Sequence, residues 1–210
     1  MNPAKDTIGW CDYTWNPITG CKRGCSFCYA RKNCNHLHRK REGIEFNEIR
    51  FYQERLHDPD LKNKPSSIIF ADSMSDIEFW PVHTMNVVLD VMESYKQHTF
   101  MLLTKEPMAY QGYDFPDNVM QGITITGSEA PERQFFKINY PLVGQLPRPF
   151  FSIEPLLGEI KYRIPDKVER VIVGSQTRPN VTPKQEWIES VVKNCRPEQV
   201  YWKRNIKPYL

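Results

Sequence analysis

An α/β fold of parallel strands, arranged as an incomplete (β/α)6 TIM-like barrel, is what three features of the sequence predict. From residue 66 onward, short apolar β-rich runs alternate with helical or loop-like stretches, the rhythm that parallel strands with crossover helices require. Several runs are almost continuously apolar, as strands covered on both faces must be. Six such runs occur in a chain of 210 residues, short of the about 250 residues of a full eight-stranded barrel. A barrel of this kind would be open on one side.

In chain order, a short extended stretch around TWNPITG (14–20) leads into a cysteine-rich loop, GCKRGCSFCYA (20–30). The segment EGIEFNEIRFYQERLHD (42–58) mixes apolar and charged positions and reads as a surface helix. The strands are expected in SSIIFAD (66–72), HTFMLLT (98–104), NVMQGITIT (118–126), RPFFSIE (148–154), RVIVGS (170–175) and QVYWKR (199–204). Between the first two, Val87, Val88, Val91, Met92 and Tyr95 fall on one helical face, which predicts a crossover helix. A second helix is expected from Pro183 to Asn194, with Thr182 as N-cap and Gln185 as its capping-box partner. Its apolar stripe is Trp187, Ile188, Val191 and Val192, continued by a core Cys195. Most of the 17 prolines punctuate element edges.

A 40% hydrophobic content supports one substantial core, so a single domain over 1–210 is expected. No run of about 18 apolar residues is present, and MNPAKDTIGW lacks the layout of a signal peptide. Neither membrane insertion nor secretion is supported, and a cytoplasmic location is expected. The net charge of +3 is uninformative about polyanionic partners, whereas its distribution is not. The stretch RKNCNHLHRKR carries Arg31, Lys32, Arg39, Lys40 and Arg41 without an acidic residue, with His36 and His38 among them. It reads either as a solvated helix face or as a docking surface for a phosphate-bearing substrate.

Four of the six cysteines crowd between Cys11 and Cys28, and Cys34 follows closely. Such clustering reads as metal binding more readily than as a disulfide framework. Cys21, Cys25 and Cys28 form a CxxxCxxC pattern. Three thiolates on one loop can hold an iron–sulfur cube and leave one of its irons open to an exogenous chelator. Two alternatives stay open. Cys25 and Cys28 alone could be a redox pair, although a thioredoxin-like context is missing; a zinc site could recruit Cys11, Cys34, His36 or His38 as a fourth ligand.

The three-cysteine loop resembles that of the radical S-adenosylmethionine (SAM) superfamily, and Phe27, before the last cysteine, matches an aromatic that packs near the adenine there. More narrowly, TWNPITGC, CYA, FADSMSD, HTFMLLTKEP, NVMQGITIT, FFSIEPLLG and VIVGSQT are similar to the successive blocks of a phage- and bacteria-associated radical-SAM-like family of unassigned reaction. The resemblance implies a [4Fe-4S] cluster on Cys21, Cys25 and Cys28, placed after the first barrel strand, with SAM on its open iron. It also implies an external electron donor such as flavodoxin or ferredoxin.

Parallel barrels build their sites at the C-terminal ends of strands, and those ends are polar here. By resemblance, Asp72 and Ser73 would meet the SAM amino group, Thr124, Thr126 and Ser152 its ribose and carboxylate, and Phe27 and Tyr29 would complete the cofactor site. Each of these polar residues also reads as a strand-end turn or cap. Glu154, before Pro155, and Lys105 are the candidates for catalytic work, Glu154 as a proton relay or amine ligand and Lys105 as a contact to a carboxylate or phosphate. The substrate class expected from the basic stretch and the phage association is a nucleotide or nucleic-acid base. The rival function is a non-catalytic nucleic-acid-binding module braced by zinc or an iron–sulfur site.

Overall fold

The computed structural model describes residues 1–37, 43, 45–127, 141–177 and 179–210, with the backbone alone for 35–37. The fold is mixed α/β with mostly parallel strands. The chain divides into two compact units, Met1–Leu102 with Tyr113–Val119, and Leu103–Gly112 with Met120–Leu210. No helix among the described residues is long and apolar enough to cross a membrane.

In the first unit, β1 (Asn2–Pro3) pairs antiparallel with β2 (Tyr13–Thr14). Strand β2 runs parallel to β5 (Ile68–Phe70), and β5 parallel to β6 (Thr99–Thr104), with Ile69 opposite Tyr13 on one side and Phe100 on the other. A small antiparallel pair, β3 (Ile18–Thr19) with β4 (Arg50–Phe51), flanks the loop that leads into helix α1 (Tyr29–Leu37). Helix α2 (Pro59–Asn63) starts with Asp58 as its N-cap, accepting from the Asp60 N–H at 3.0 Å. Trp15 is fully buried, its ring 5.7 Å from that of Phe100. Its indole N–H donates to the Arg55 carbonyl, so its one polar atom is not stranded in the core.

The crossover helix α3 (Val82–Ser94) is present between β5 and β6. Its buried face is Thr84, Met85, Val88, Leu89 and Met92, the expected spacing begun three positions earlier, and Val87 is exposed. Leu89 and Met85 offer the sheet more apolar surface than Val87 and Val91, and the helix turns accordingly. The surface helix expected over 42–58 is not found among its described residues. Instead Arg50 and Phe51 enter a ladder with β3, and Gln53–Arg55 make one 3-10 turn. The backbone is claimed by the cysteine loop: Cys21 N–H donates to the Phe46 carbonyl and Tyr52 N–H to that of Pro17, both at 2.8 Å. These long-range bonds outcompete a helix whose only local support would be a weak apolar stripe.

The second unit carries β7 (Val119–Ile125), β8 (Pro149–Ile153), β9 (Arg170–Val173) and β12 (Val200–Trp202), parallel in that order. Every residue of β7 and β8 is buried, the outcome expected of almost continuously apolar strands. A hairpin of β10 (Gln176–Thr177) and β11 (Asn180–Val181) follows β9. Helix α4 runs from Gln185 to Asn194, two residues later than expected, and its N-cap is Lys184, which makes no side-chain cap. Lys184 is still extended, at φ −72° and ψ 149°, so the first helical turn begins after it and Thr182 lies two residues before the cap position. Ile188, Val191 and Cys195 are buried as expected, whereas Val192 is exposed. Burial pushes the Cys195 thiol up to about 12, partly opposed by the charge of Arg163. All six expected strand runs are strands.

Candidate functional site

The cysteine loop of the first unit starts at Gly20, which takes φ +100° and lies so close to the Glu48 carbonyl that a Cβ would overlap it. Only glycine can stand there. Gly20 N–H donates to the Met74 carbonyl at 2.9 Å, tying the loop to the turn after β5. Cys28 N–H donates to the Cys25 carbonyl at 3.2 Å, and the Arg31 N–H in the first turn of α1 donates to the Cys28 sulfur at 3.4 Å.

All six cysteines are free thiols. Cys21, Cys25 and Cys28 are half-buried, whereas Cys11, Cys34 and Cys195 are buried. Cys21 and Cys28 pack with Met74 against a small core of Ala30, Cys34 and Phe46. Burial pushes the Cys21 thiol up to about 11, a backbone hydrogen bond from Arg23 opposes this, and the charges of Asp76, Cys28 and Cys25 add to the rise. Cys21 therefore senses the charge of the other two sulfurs. A cation among them would reverse that repulsion, and in number and chemistry these donors fit a thiolate-held iron–sulfur cluster. Among the described residues no three of His, Cys, Asp and Glu already converge as a ligand set, so a cluster would draw the sulfurs together as it bound.

The strand-end turn after β5 lies in the same unit. Asp72 and Ser73 are 2% and 8% exposed. Asn16 organises this turn: its carbonyl oxygen accepts from the Met74 N–H at 3.0 Å and its amide lies 3.0 Å from the Ser73 hydroxyl. Tyr29, although 51% exposed, donates its hydroxyl to the Ser73 carbonyl at 2.6 Å. The residue after the last cysteine is thus fastened to the residue pair that the sequence singled out. Arg23, between the first two cysteines, pairs with Glu78 and lies 3.9 Å from Asp76, the N-cap of the 3-10 turn Ile77–Phe79. Phe27 is half-buried. Of the basic stretch, Arg31 and Lys32 open α1; His38, Arg39, Lys40, Arg41 and the side chain of His36 lie outside the described residues.

In the second unit, Thr124 and Ser152 are buried and face each other across the β7–β8 ladder. Thr126 follows β7, and its carbonyl accepts from the Leu157 N–H at 2.7 Å. The chain next turns at Gly127, at φ +78°, where a Cβ would overlap the Gly158 carbonyl. Lys105 is half-buried directly after β6. Glu154 follows β8, precedes a cis-proline and pairs with Lys203, which directly follows β12.

Lys203 is a residue that sequence reasoning did not select. Its signal was available: a lysine ending a parallel strand, like Lys105, in the weakest of the strand runs. Gly174, at the end of β9, makes room for the pair, since a Cβ there would come within 3.0 Å of both Glu154 Oε1 and Lys203 Cδ. Beside it Ser175 and Asn205 exchange hydrogen bonds, hydroxyl to carbonyl at 2.8 Å and amide to carbonyl at 2.7 Å.

No curated protein matches the chain, and no solved structure does. Residues 5–205 match the model of a family described as a protein of unknown function, DUF5131. With almost its whole length matched, the chain belongs to the DUF5131 family.

Proposed function

We propose that this protein is a radical SAM enzyme, and one observation carries the reading: Cys21, Cys25 and Cys28 share a loop that follows the parallel strand β2. Under this reading the strands are staves of an incomplete (β/α)6 barrel, and the three thiolates hold a [4Fe-4S] cluster. When bound, cluster and SAM supply reductive cleavage of SAM to methionine and a 5′-deoxyadenosyl radical. The chain's own residues do the positioning. Tyr29 and Asn16 fix the Asp72–Ser73 turn for the SAM amino group, Phe27 covers the adenine, and Thr124, Thr126 and Ser152 serve the ribose and carboxylate. Glu154, held by Lys203, and Lys105 handle the substrate's polar groups or a proton. The substrate is a nucleotide or nucleic-acid base, the electron donor a flavodoxin or ferredoxin, and the setting cytoplasmic.

A second reading draws on Cys34, a member of the small core against which Cys21 and Cys28 pack. A fourth thiolate there would close the site, leaving no iron open, and the protein would be a metal-braced nucleic-acid-binding module.

Anaerobic reconstitution with iron and sulfide separates the two. The enzyme reading expects about four irons per chain, a reduced-state electron paramagnetic resonance signal that SAM perturbs, and 5′-deoxyadenosine formation. Alanine at Cys21, Cys25 or Cys28 should abolish iron loading, and Cys34→Ala should leave it intact. Stoichiometric zinc, or a cluster blind to SAM and lost in Cys34→Ala, would overturn the enzyme reading in favour of the module.

A further inference from the structure

The first unit contains a cavity of ≈ 520 Å³ that none of Cys21, Cys25 and Cys28 lines. Its size falls within the range of about 300–1,000 Å³ typical of small-molecule sites. Its lining includes Asn2 and Asn33, Thr14 and Thr19, three aromatic residues with Tyr52 among them, and Arg55.

The charges around this cavity are unevenly satisfied. Three carboxylates line it, and each is engaged. Asp58 caps α2 and accepts from the N-terminal ammonium, Glu48 accepts from Arg50 at 2.8 Å, and Glu45 has a partner as well. Arg55 differs. It stacks 3.8 Å over the Tyr52 ring and donates one N–H to the Asn16 carbonyl at 2.9 Å, and it has no carboxylate partner among the described residues. Arg31, 5.9 Å over the ring of Phe46, does not line the cavity; its guanidinium lies beside Gly24 of the cysteine loop.

A half-buried guanidinium keeps its charge at a cost unless its donors find water or an anion. Stacking on a ring holds the fork rigid, and a rigid fork with spare donors is the geometry that takes a phosphate bidentately. Amides and hydroxyls on the other walls suit the polar body of a ligand larger than phosphate itself.

We propose that this cavity binds a small organic phosphate of mononucleotide size, with Arg55 as its phosphate fork and Asn33 among the polar groups that meet the rest of the ligand. None of the three cysteines lines the site, although Gly20, Cys34 and Met74 beside them do, and its test is read on the chain without iron or SAM, so the proposal and the enzyme reading can fail separately.

The test is calorimetric titration of the metal-free full chain with AMP, ribose 5-phosphate, adenosine and inorganic phosphate at two salt concentrations. AMP or ribose 5-phosphate should bind with salt-sensitive affinity, and adenosine and inorganic phosphate should each bind at least about tenfold more weakly. Arg55→Lys, which keeps the charge and loses the fork, should weaken binding of the phosphate ester about tenfold. Asn33→Ala, at an exposed residue of the cavity lining, should weaken it by a smaller factor, and it decides the matter if Arg55→Lys does not fold. The proposal is overturned if neither ester binds at about 1 mM, if adenosine or inorganic phosphate binds as tightly as the esters, or if the folded variants bind them like the parent.

Discussion

Lys203→Met removes one charge from the strand-end pair of the second unit and leaves the other behind. Methionine keeps most of the aliphatic stem that passes Gly174, so the substitution isolates the charge. The side chains of Lys203 and Glu154 are 13% and 27% exposed. Removing one partner of a fully buried pair costs about 3–5 kcal/mol, because the survivor is left uncompensated. Glu154 retains about a quarter of its exposure, and solvent screening brings the expected loss to about 2–3 kcal/mol. Glu154→Gln should lose about 2 kcal/mol by the same reasoning. With both charges gone, the double variant should lose about 2–3 kcal/mol, where additivity would give about 4–5, a coupling of about 2 kcal/mol. Equilibrium urea unfolding of the four proteins measures the cycle. A coupling below about 0.5 kcal/mol, the ordinary value for an exposed pair, would refute the claim that Lys203 holds Glu154 in place.

Asn16→Ala strips the Met74 N–H and the Ser73 hydroxyl of their partner; unfolding should register a loss of about 2–3 kcal/mol, and less than about 1 kcal/mol would mean the turn organises itself. Gly20→Ala and Gly127→Ala combine a positive φ with a carbonyl in the way, so each should cost about 3 kcal/mol or more. Gly112, at φ +81° with nothing within 4 Å, is the control and should cost only about 1 kcal/mol; equal losses at the three sites, read by thermal unfolding, would remove the steric argument. Cys195 makes stability pH-dependent, since its folded pKa of about 12 lies above the ordinary 9.0. The unfolded thiol ionises first, so stability should be full below pH 9 and fall as the pH rises, by about 1.4 kcal/mol at about pH 10. Cys195→Ala should flatten that part of the pH–stability profile, and an unchanged slope would show that the thiol plays no part.

Strand identity was legible wherever an apolar run was dense enough to need cover on both faces. NVMQGITIT and RPFFSIE could become little else, and both are wholly buried strands. The cysteine spacing was equally legible, because neighbours in sequence must stay neighbours in space. Cys21, Cys25 and Cys28 share one loop whatever the rest of the chain does, and Asp72, Ser73 and Glu154 directly follow strands as their positions implied. Helix existence could be read too, for Val82–Ser94 and Gln185–Asn194, although not the face of the first or the start of the second.

Long-range partners decided what remained. The segment expected as a surface helix was drawn into a ladder with Ile18 and Thr19 because its backbone found better hydrogen bonds there. Tyr29 reaches Ser73 across 44 positions and Lys203 reaches Glu154 across 49. Arg55 owes its rigid fork to the Tyr52 ring and to the carbonyl of Asn16, which takes one of its N–H groups. Sequence alone determined which strands form and which thiols share a loop, since both follow from local pattern. Tertiary structure chose the partner of each strand-end charge, because a charge settles on whichever distant group the packed chain brings within reach, and no local pattern encodes that distance.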